Sequence, residues 1–289
     1  MVRFWEERSL SGKFETGQSV GRPSADHFES SPSGGHHASG PPLPKSAVTG
    51  NARLMNADLV VDASGRGSSS PAWLDALGYP KPREEQIKIN LGYATRQYRR
   101  LPEHLRGMRG AIIAACPPDW RFGAILAQEG DRWIVTLGGY LGDQAPTDDN
   151  GFVAFARCLQ KPEIFNVVRV AKPLCPLMPY QFSANLRRRY EELSRFPAGF
   201  LVFGDALCSF NPVYGQGMTV ACVESLALRE CLAAGTQEIA GRFFRAASQL
   251  IDIPWQIAVG SDLQHPRVEG KRTSGYPHLY AAPPTKCLS

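Results

Sequence analysis

The chain has 289 residues, a formal net charge of +5 (32 Lys and Arg against 27 Asp and Glu) and a hydrophobic fraction of 43%. This length and apolar content predict a globular protein with a large core, and the mild charge, without a dense basic stripe, argues against nucleic-acid binding. No apolar run is long enough to span a membrane. The 7 cysteines form no CxxC pair, which indicates free thiols in a reducing, cytoplasmic location.

The first segment, residues 1–50, differs in composition from the rest of the chain. Half of the residues from Glu15 to Gly50 are Gly, Ser or Pro. We expect this low-complexity segment to be disordered, because such a mixture buries too little apolar surface to offset the entropy of ordering. The adjacent His36 and His37 lack further ligands at metal-binding spacing, so we predict no metal site.

An apolar stretch followed by small residues lies at positions 57–68. Leu59 to Val61 is predicted as a short strand, and Ala63-Ser64-Gly65 is a turn at which the end of a sheet can approach a ligand closely. Arg66 follows directly, and its guanidinium could reach a phosphate or a neighbouring carboxylate. The segment therefore predicts one side of a ligand site.

The middle of the chain has alternating and β-branched runs that are typical of antiparallel strands. Glu129-Gly130-Asp131 predicts a hairpin turn between two of them, and Arg187-Arg188-Arg189 is interpreted as a solvated face. The predicted strands are Gln86–Tyr98, Gly110–Cys116, Phe122–Gln128, Arg132–Tyr140 and Asn166–Val170, with a helix at Gly151–Leu159.

The stretch from Gly199 to Ala234 is the most informative part of the sequence. Its apolar run Phe200 to Phe203 predicts a buried parallel strand that ends at Gly204-Asp205. Because ligands bind beyond the carboxyl ends of parallel strands, Asp205 is predicted to accept a hydrogen bond from a ligand hydroxyl. A turn-rich segment and a helix from near Met218 follow, and the N-terminus of that helix favours an electron-rich ligand.

These two segments resemble flavoprotein monooxygenases of the single-component hydroxylase and epoxidase type. Gly204-Asp205-Ala206 followed by Pro212-x-x-Gly215-Gln216-Gly217-Met218 is similar to the Gly-Asp motif of that family, and residues 57–68 resemble its ADxVVxAxG strand and turn. The resemblance implies that Asp205 binds the ribityl chain of FAD and that residues 212–218 lie over the isoalloxazine. It assigns no catalytic residue, and the cofactor-binding residues that it implies are Gly204, Asp205, Pro212, Gly215, Gln216, Gly217, Met218, Gly65 and Arg66.

The resemblance also implies an α/β fold in which a partial Rossmann-like FAD/NAD(P)-binding domain carries an inserted antiparallel β-sheet substrate domain. Residues 51–83 and 186–260 would form the partial FAD-binding domain, residues 84–185 the substrate domain, and residues 261–289 an irregular tail. The GxGxxG turn that cradles the FAD pyrophosphate in the family does not occur in this sequence.

The activity that the resemblance implies is reduction of FAD by NAD(P)H and reaction with O2 to a flavin 4a-hydroperoxide. One oxygen atom would then hydroxylate or epoxidise a hydrophobic small molecule. Two alternatives stay open. One is a flavin-dependent reductase of an isoprenoid double bond, and the other is an inactive, truncated remnant of such a flavoprotein, to which the missing GxGxxG turn points.

Overall fold

The structure is a computed structural model that describes residues 57–116 and 118–270. The low-complexity segment, with its histidine pair, and the last 19 residues of the chain, 271–289, lie outside the described residues. Among the residues described, no helix is both long and apolar enough to cross a membrane. The chain divides into two compact units. Of the described residues, unit 1 comprises 57–84, Arg187–Ser209 and Gln216–Asp252, and unit 2 comprises 85–116, 118–186, Phe210–Gly215 and 253–270.

The elements are numbered in chain order. They are β1 (Val60–Asp62), α1 (Ser70–Ala76), β2 (Arg83–Arg99), β3 (Gly110–Ile113), β4 (Arg121–Gln128), β5 (Arg132–Gly139), α2 (Asp149–Arg157), α3 (Glu163–Val168), β6 (Met178–Arg189), β7 (Phe200–Val202), β8 (Cys208–Ser209), α4 (Gly217–Ala233) and α5 (Ile239–Asp262).

Unit 1 contains a parallel pair of strands, β1 and β7, with Val60 opposite Phe200 and Asp62 opposite Val202. All three residues of β7 are buried, which confirms the buried strand predicted there. Since the pair is parallel, both strands end at the same edge of the sheet, and the turns that follow them start from that edge. Helix α4 begins at Gly217 and confirms the helix predicted from near Met218.

Unit 2 contains a sheet with the strand order β3-β4-β5-β2-β6, in which β3 with β4, β4 with β5 and β5 with β2 pair antiparallel. Strands β4 and β5 form the predicted hairpin, whose turn residues Gly130 and Asp131 have φ angles of 69° and 49°. The predicted helix at Gly151–Leu159 is confirmed as α2, which packs with α3 against the sheet around the buried Trp133 and Phe152. The chain thus has a mixed α/β fold with one parallel and one antiparallel sheet, as predicted.

The strand predicted at Asn166–Val170 is wrong, because these residues belong largely to helix α3. Ile164, Val167 and Val168 are the buried residues of α3, and their spacing of three and four is that of a helix face. The β-branched residues in this short segment suggested a strand. The helical spacing becomes evident only when Ile164 is included.

The solvated face predicted for residues 187–189 is also wrong. The side chains of Arg187 and Arg188 lie at the end of β6 and are only 2% and 7% exposed. Each is neutralised by a carboxylate of unit 1, since Arg187 Nη2 lies 2.7 Å from Asp252 Oδ1 and Arg188 Nε lies 2.9 Å from Glu84 Oε1. These carboxylates offset part of the free-energy cost of burying the two guanidinium charges.

Candidate ligand-binding site

The segment Gly204–Ala206, here called the Asp205 turn, follows β7 directly as a short 3-10 turn. Gly204 has a φ of +64°, a conformation that glycine adopts at low cost. The side chain of Asp205 is exposed. A Cβ placed on Gly217 would lie 3.5 Å from Asp205 Oδ1, so this carboxylate stands at the first residue of α4.

The N-terminus of α4 carries no side-chain cap. Gln216 occupies the cap position without a side-chain hydrogen bond, and Val220 N is the first amide to bond back, to Gln216 O at 2.9 Å. The amides of the first turn of a helix need partners from outside the helix, and the helix dipole is positive at this end. A ligand that offers hydrogen-bond acceptors or partial negative charge beside Asp205 would satisfy them.

The segment 63–68, here called the Arg66 turn, follows β1 and is held by the buried carboxylate of Asp62. Asp62 accepts hydrogen bonds from Ser64 N at 2.9 Å and from the hydroxyls of Ser64, Ser68 and Ser70. The turn contains Gly65, whose φ is +81°. Asp62 was not among the predicted site residues, although three serines two, six and eight positions after an acid provide a sequence signal for such a cluster.

The structure brings the predicted residues Arg66 and Asp205 close enough for their charges to interact. Although the Asp205 side chain is exposed at the surface, partial desolvation by its surroundings raises the pKa of its carboxyl, and the positive charge of Arg66 offsets part of that rise. Burial and the nearby Arg188 lower the pKa of Arg66, while Asp205 opposes this effect. The two motif segments therefore contribute opposite charges to one part of unit 1.

Glu224 lies behind the Asp205 turn and was not predicted from the sequence. Its side chain is fully buried, and Oε2 accepts a hydrogen bond from Gly204 N at 2.8 Å. Within the described part of the chain, Oε1 has no hydrogen-bond partner. Burial raises the pKa of Glu224 to about 7; the Gly204 hydrogen bond opposes the rise and the charge of Asp205 adds to it. Glu224 lies seven residues after Gly217, so both residues are on the same face of α4. This spacing is the sequence signal that could have identified it.

The predicted residues Pro212 and Gly215 lie in a loop of unit 2, Phe210–Gly215. Within this loop Asn211 caps the 3-10 turn Pro212–Tyr214, and its side chain accepts a hydrogen bond from Val213 N at 3.1 Å, while Gly215 ends the loop with a φ of +63°. The predicted residues Gln216, Gly217 and Met218 belong to unit 1, at the start of α4, and Met218 is 83% exposed.

This loop is tied within unit 2 to the buried carboxylate of Asp262. Oδ1 accepts hydrogen bonds from Tyr214 Oη at 2.7 Å, Tyr140 Oη at 3.1 Å and Asn211 Nδ2 at 2.9 Å. Oδ2 accepts one from Asn185 Nδ2 at 2.6 Å. Burial raises the pKa of Asp262, and the four donors oppose that rise. Asp262 was not predicted, because its partners lie 48 to 122 positions away in the chain.

Unit 2 also has a cleft of about 350 Å³. Its lining combines uncharged hydrogen-bonding side chains, including Asn90, Gln144, Gln181 and Ser183, with Leu91 and Phe182. Across residues 57–116 and 118–270, no cluster of three or more His, Cys, Asp or Glu side chains could hold a metal ion.

Comparison with known proteins gives one curated relative and a set of similar structures. The relative is Protein Rv3254 of Mycobacterium tuberculosis (strain ATCC 25618 / H37Rv), which is 36% identical over 190 residues, or 65% of this chain. The chain spans only 40% of the length of that relative. No protein-family model matches the sequence.

Among solved structures, a flavoprotein/dehydrogenase from Cytophaga hutchinsonii aligns with a TM-score of 0.51 and 16% identity, over 74% of this chain and 51% of its own. The tetracycline destructase Tet(51) aligns with a TM-score of 0.47 and 12% identity, over 74% of this chain and 56% of its own. The first of these likenesses shows that this chain shares the fold of that structure over the aligned residues.

Proposed function

We propose that this chain is part of an FAD-dependent oxidoreductase, and that it acts as a monooxygenase on a hydrophobic small molecule. NAD(P)H would serve as the reductant and O2 as the oxidant, and the product would be hydroxylated or epoxidised. The observation that carries the proposal is the position of Asp205, at the carboxyl end of β7 and beside the uncapped N-terminus of α4. The likeness of the fold to that of a solved flavoprotein/dehydrogenase supports it.

The residues at this edge of unit 1 fit a flavin. Asp205 offers an exposed carboxylate to the hydroxyls of a sugar-like chain, and the first turn of α4 offers amide donors to an electron-rich ring. A Cβ placed on Gly65 would meet no atom within 4 Å, so the Arg66 turn leaves open space. Pro212, Gly215 and Gln216 are assigned to the flavin by the motif resemblance.

FAD, when bound, would supply the redox chemistry with NAD(P)H and O2. The protein has to bind and orient it. Asp205 would accept hydroxyl hydrogen bonds, and the α4 N-terminus would stabilise negative charge that develops on the ring. Arg66 would balance the charge of Asp205. Because FAD would supply the redox chemistry, the proposal requires no acid-base pair of protein side chains.

Binding of FAD to the purified 289-residue chain tests the cofactor assignment. Titration monitored by flavin fluorescence should show saturable binding, and Asp205→Ala should weaken it about tenfold, as expected for the loss of a charge-assisted hydrogen bond. Asp75→Ala, which removes an exposed carboxylate of unit 1 paired with Lys81, is the matched control and should bind normally. A wild-type chain that binds no FAD contradicts the proposal and favours the inactive remnant.

The reaction type is tested by product analysis with isotopically labelled O2. A monooxygenase should place one labelled oxygen atom in the product and should consume NAD(P)H only when FAD is present. A product reduced at a double bond, formed equally well without O2, would instead identify a flavin-dependent reductase.

A further inference from the structure

The Arg66 turn and the Asp205 turn are joined by a single buried side chain, that of Arg188 at the end of β6. Its Nη1 donates to Ala206 O at 2.9 Å and its Nη2 donates to Arg66 O at 3.0 Å. Its Nε donates to Glu84 Oε1 at 2.9 Å, and the residue is only 7% exposed. One guanidinium therefore binds the backbone of both turns and is itself anchored by a carboxylate.

We propose that Arg188 is a positioning residue of the cofactor site, which fixes the Arg66 turn and the Asp205 turn relative to each other. The inference rests on the proposed function, because it assigns to Arg188 the alignment of residues that would contact FAD. Arg188 itself is assigned no contact with the ligand.

The geometry of the guanidinium suits this role. Its N–H groups form a rigid planar fork, so two carbonyls that bind its two terminal nitrogens are held at a defined separation. The carbonyl of Arg66 belongs to the residue whose charge interacts with that of Asp205, and the carbonyl of Ala206 belongs to the residue next to Asp205. When these two carbonyls are fixed, the backbone segments that carry the Arg66 and Asp205 side chains are fixed as well.

The strands hold the two turns together only where the turns begin, through their pairing and through the hydrogen bond from Phe203 N to Asp62 O at 2.9 Å. Strands β1 and β7 are each 3 residues long, and the two turns are separated by well over 100 positions in the chain. The backbone of Arg188 adds a further tie, since Arg188 N donates to Leu207 O at 2.9 Å. Arg188 thus holds the Asp205 turn through its main chain as well as its side chain.

Its neighbour Arg187 provides a matched control. Arg187 lies on the same strand and is 2% exposed, but its side chain bonds to Asp252 Oδ1 at 2.7 Å, Ser248 O at 3.3 Å and Glu191 Oε1 at 3.6 Å, and none of these belongs to a ligand turn. A Lys substitution keeps the positive charge at either position and removes the planar fork. Both variants lose a buried arginine, and only one loses the link between the turns.

The test compares Arg188→Lys with Arg187→Lys in the full chain by two measurements. The first is amide hydrogen exchange of the FAD-free protein in peptides that cover residues 63–70 and 203–209. The second is the Kd for FAD. Arg188→Lys should accelerate exchange in both peptides together and raise the Kd about tenfold, whereas Arg187→Lys should change neither.

The inference is overturned if Arg188→Lys leaves exchange in both turns and the Kd at their wild-type values, or if Arg187→Lys changes them equally. Glu84→Gln is a second variant, which loosens the anchor of the guanidinium but retains the fork. It should accelerate exchange in both turns less than Arg188→Lys does, and unchanged exchange would count against the inference.

The exchange measurement separates this inference from the proposed function. A wild-type chain that binds no FAD would refute the proposed function, while the exchange of the two turns would still show whether Arg188 joins them. A double variant with Asp205→Ala adds a third result: the effect of Arg188→Lys on the Kd should shrink when Asp205 is absent, since Arg188 acts through the turn that carries it.

Discussion

Glu224 accepts a hydrogen bond from the backbone amide of Gly204 across 2.8 Å, and thereby joins the middle of helix α4 to the turn that presents Asp205. The approach is possible because the same face of α4 has small residues nearer the turn. A Cβ on Gly204 would lie 3.9 Å from that of Ala221, one helical turn before Glu224. Burial of this carboxylate makes the stability of unit 1 sensitive to pH.

The first prediction concerns that pH dependence. Burial raises the pKa of Glu224 to about 7, above the value of about 4.3 in an unfolded chain, so the folded state binds this proton more tightly. The contribution of Glu224 to stability should therefore be greatest below pH 4 and should fall as pH rises to about 7, by roughly 3 kcal/mol. Glu224→Gln should lack this fall, and urea unfolding of both proteins between pH 5 and pH 8 measures the difference.

Two Glu→Gln variants on helix α4 test whether Glu224 causes this pH dependence. The amide oxygen of Glu224→Gln can still accept from Gly204 N, so the variant should gain on the wild type as pH rises. Glu230→Gln on the same helix removes an exposed carboxylate and should leave the wild-type pH profile unchanged. A constant difference between Glu224→Gln and wild type across this range would show that Glu224 does not titrate there.

The second prediction concerns Asp262, which holds the loop Phe210–Gly215. Asp262→Ala should lower the free energy of unfolding by about 2–4 kcal/mol, because four donors in a buried site lose their acceptor. Tyr214→Phe removes one donor only and should cost about 1 kcal/mol. Thermal or urea unfolding gives both values, and equal effects of the two substitutions would contradict the view that Asp262 is the centre of the cluster.

The third prediction uses one substitution at two glycines with opposite expected signs. A Cβ on Gly138, in the centre of the unit 2 sheet, would lie 2.6 Å from Gly92 O and from Tyr93 Cβ, so Gly138→Ala should destabilise by about 1–3 kcal/mol or more. A Cβ on Gly260, exposed on α5, would meet nothing within 4 Å. Gly260→Ala should therefore be neutral or stabilise by up to about 1 kcal/mol.

Melting temperatures of the two variants, measured side by side with the wild type, decide this point. If Gly138→Ala melts at the wild-type temperature, the central strands are not packed as closely as described.

The fourth prediction concerns thiol reactivity. Cys208 is 2% exposed, so a reagent has little access to its sulfur. Burial also raises the pKa of this thiol well above its ordinary value, which disfavours the reactive thiolate. Cys116, Cys158 and Cys222 are exposed. Among the six cysteines within residues 57–116 and 118–270, these three should react with a thiol reagent first in the native protein, and peptide mass spectrometry should find Cys208 unmodified until the chain unfolds. Early modification of Cys208 would point to a nucleophile in the Asp205 segment rather than a packing residue.

Several elements could be predicted from the sequence because their signals are local. Neighbouring residues alone indicate the apolar run of β7, the turn glycine of the hairpin between β4 and β5, and the start of α4. The Arg66 and Asp205 turns could be recognised for the same reason, since each follows a strand within a few positions. The short helix α3 was misassigned because six residues scarcely distinguish a helical from a strand period.

Local sequence shows where the strands end and the small residues begin, and therefore which residues lie at the edge of the parallel pair. Which charged residues are buried at that edge depends on contacts made in the folded chain. Arg188 and its hydrogen-bond partner Glu84 are 104 positions apart in the sequence. The corresponding separation is 20 positions for Glu224 and Gly204 and 122 for Asp262 and Tyr140. From a local sequence pattern, charged residues such as these are expected to be exposed to solvent. Their burial requires hydrogen-bond and ion-pair partners, and only the folded chain brings these partners within bonding distance.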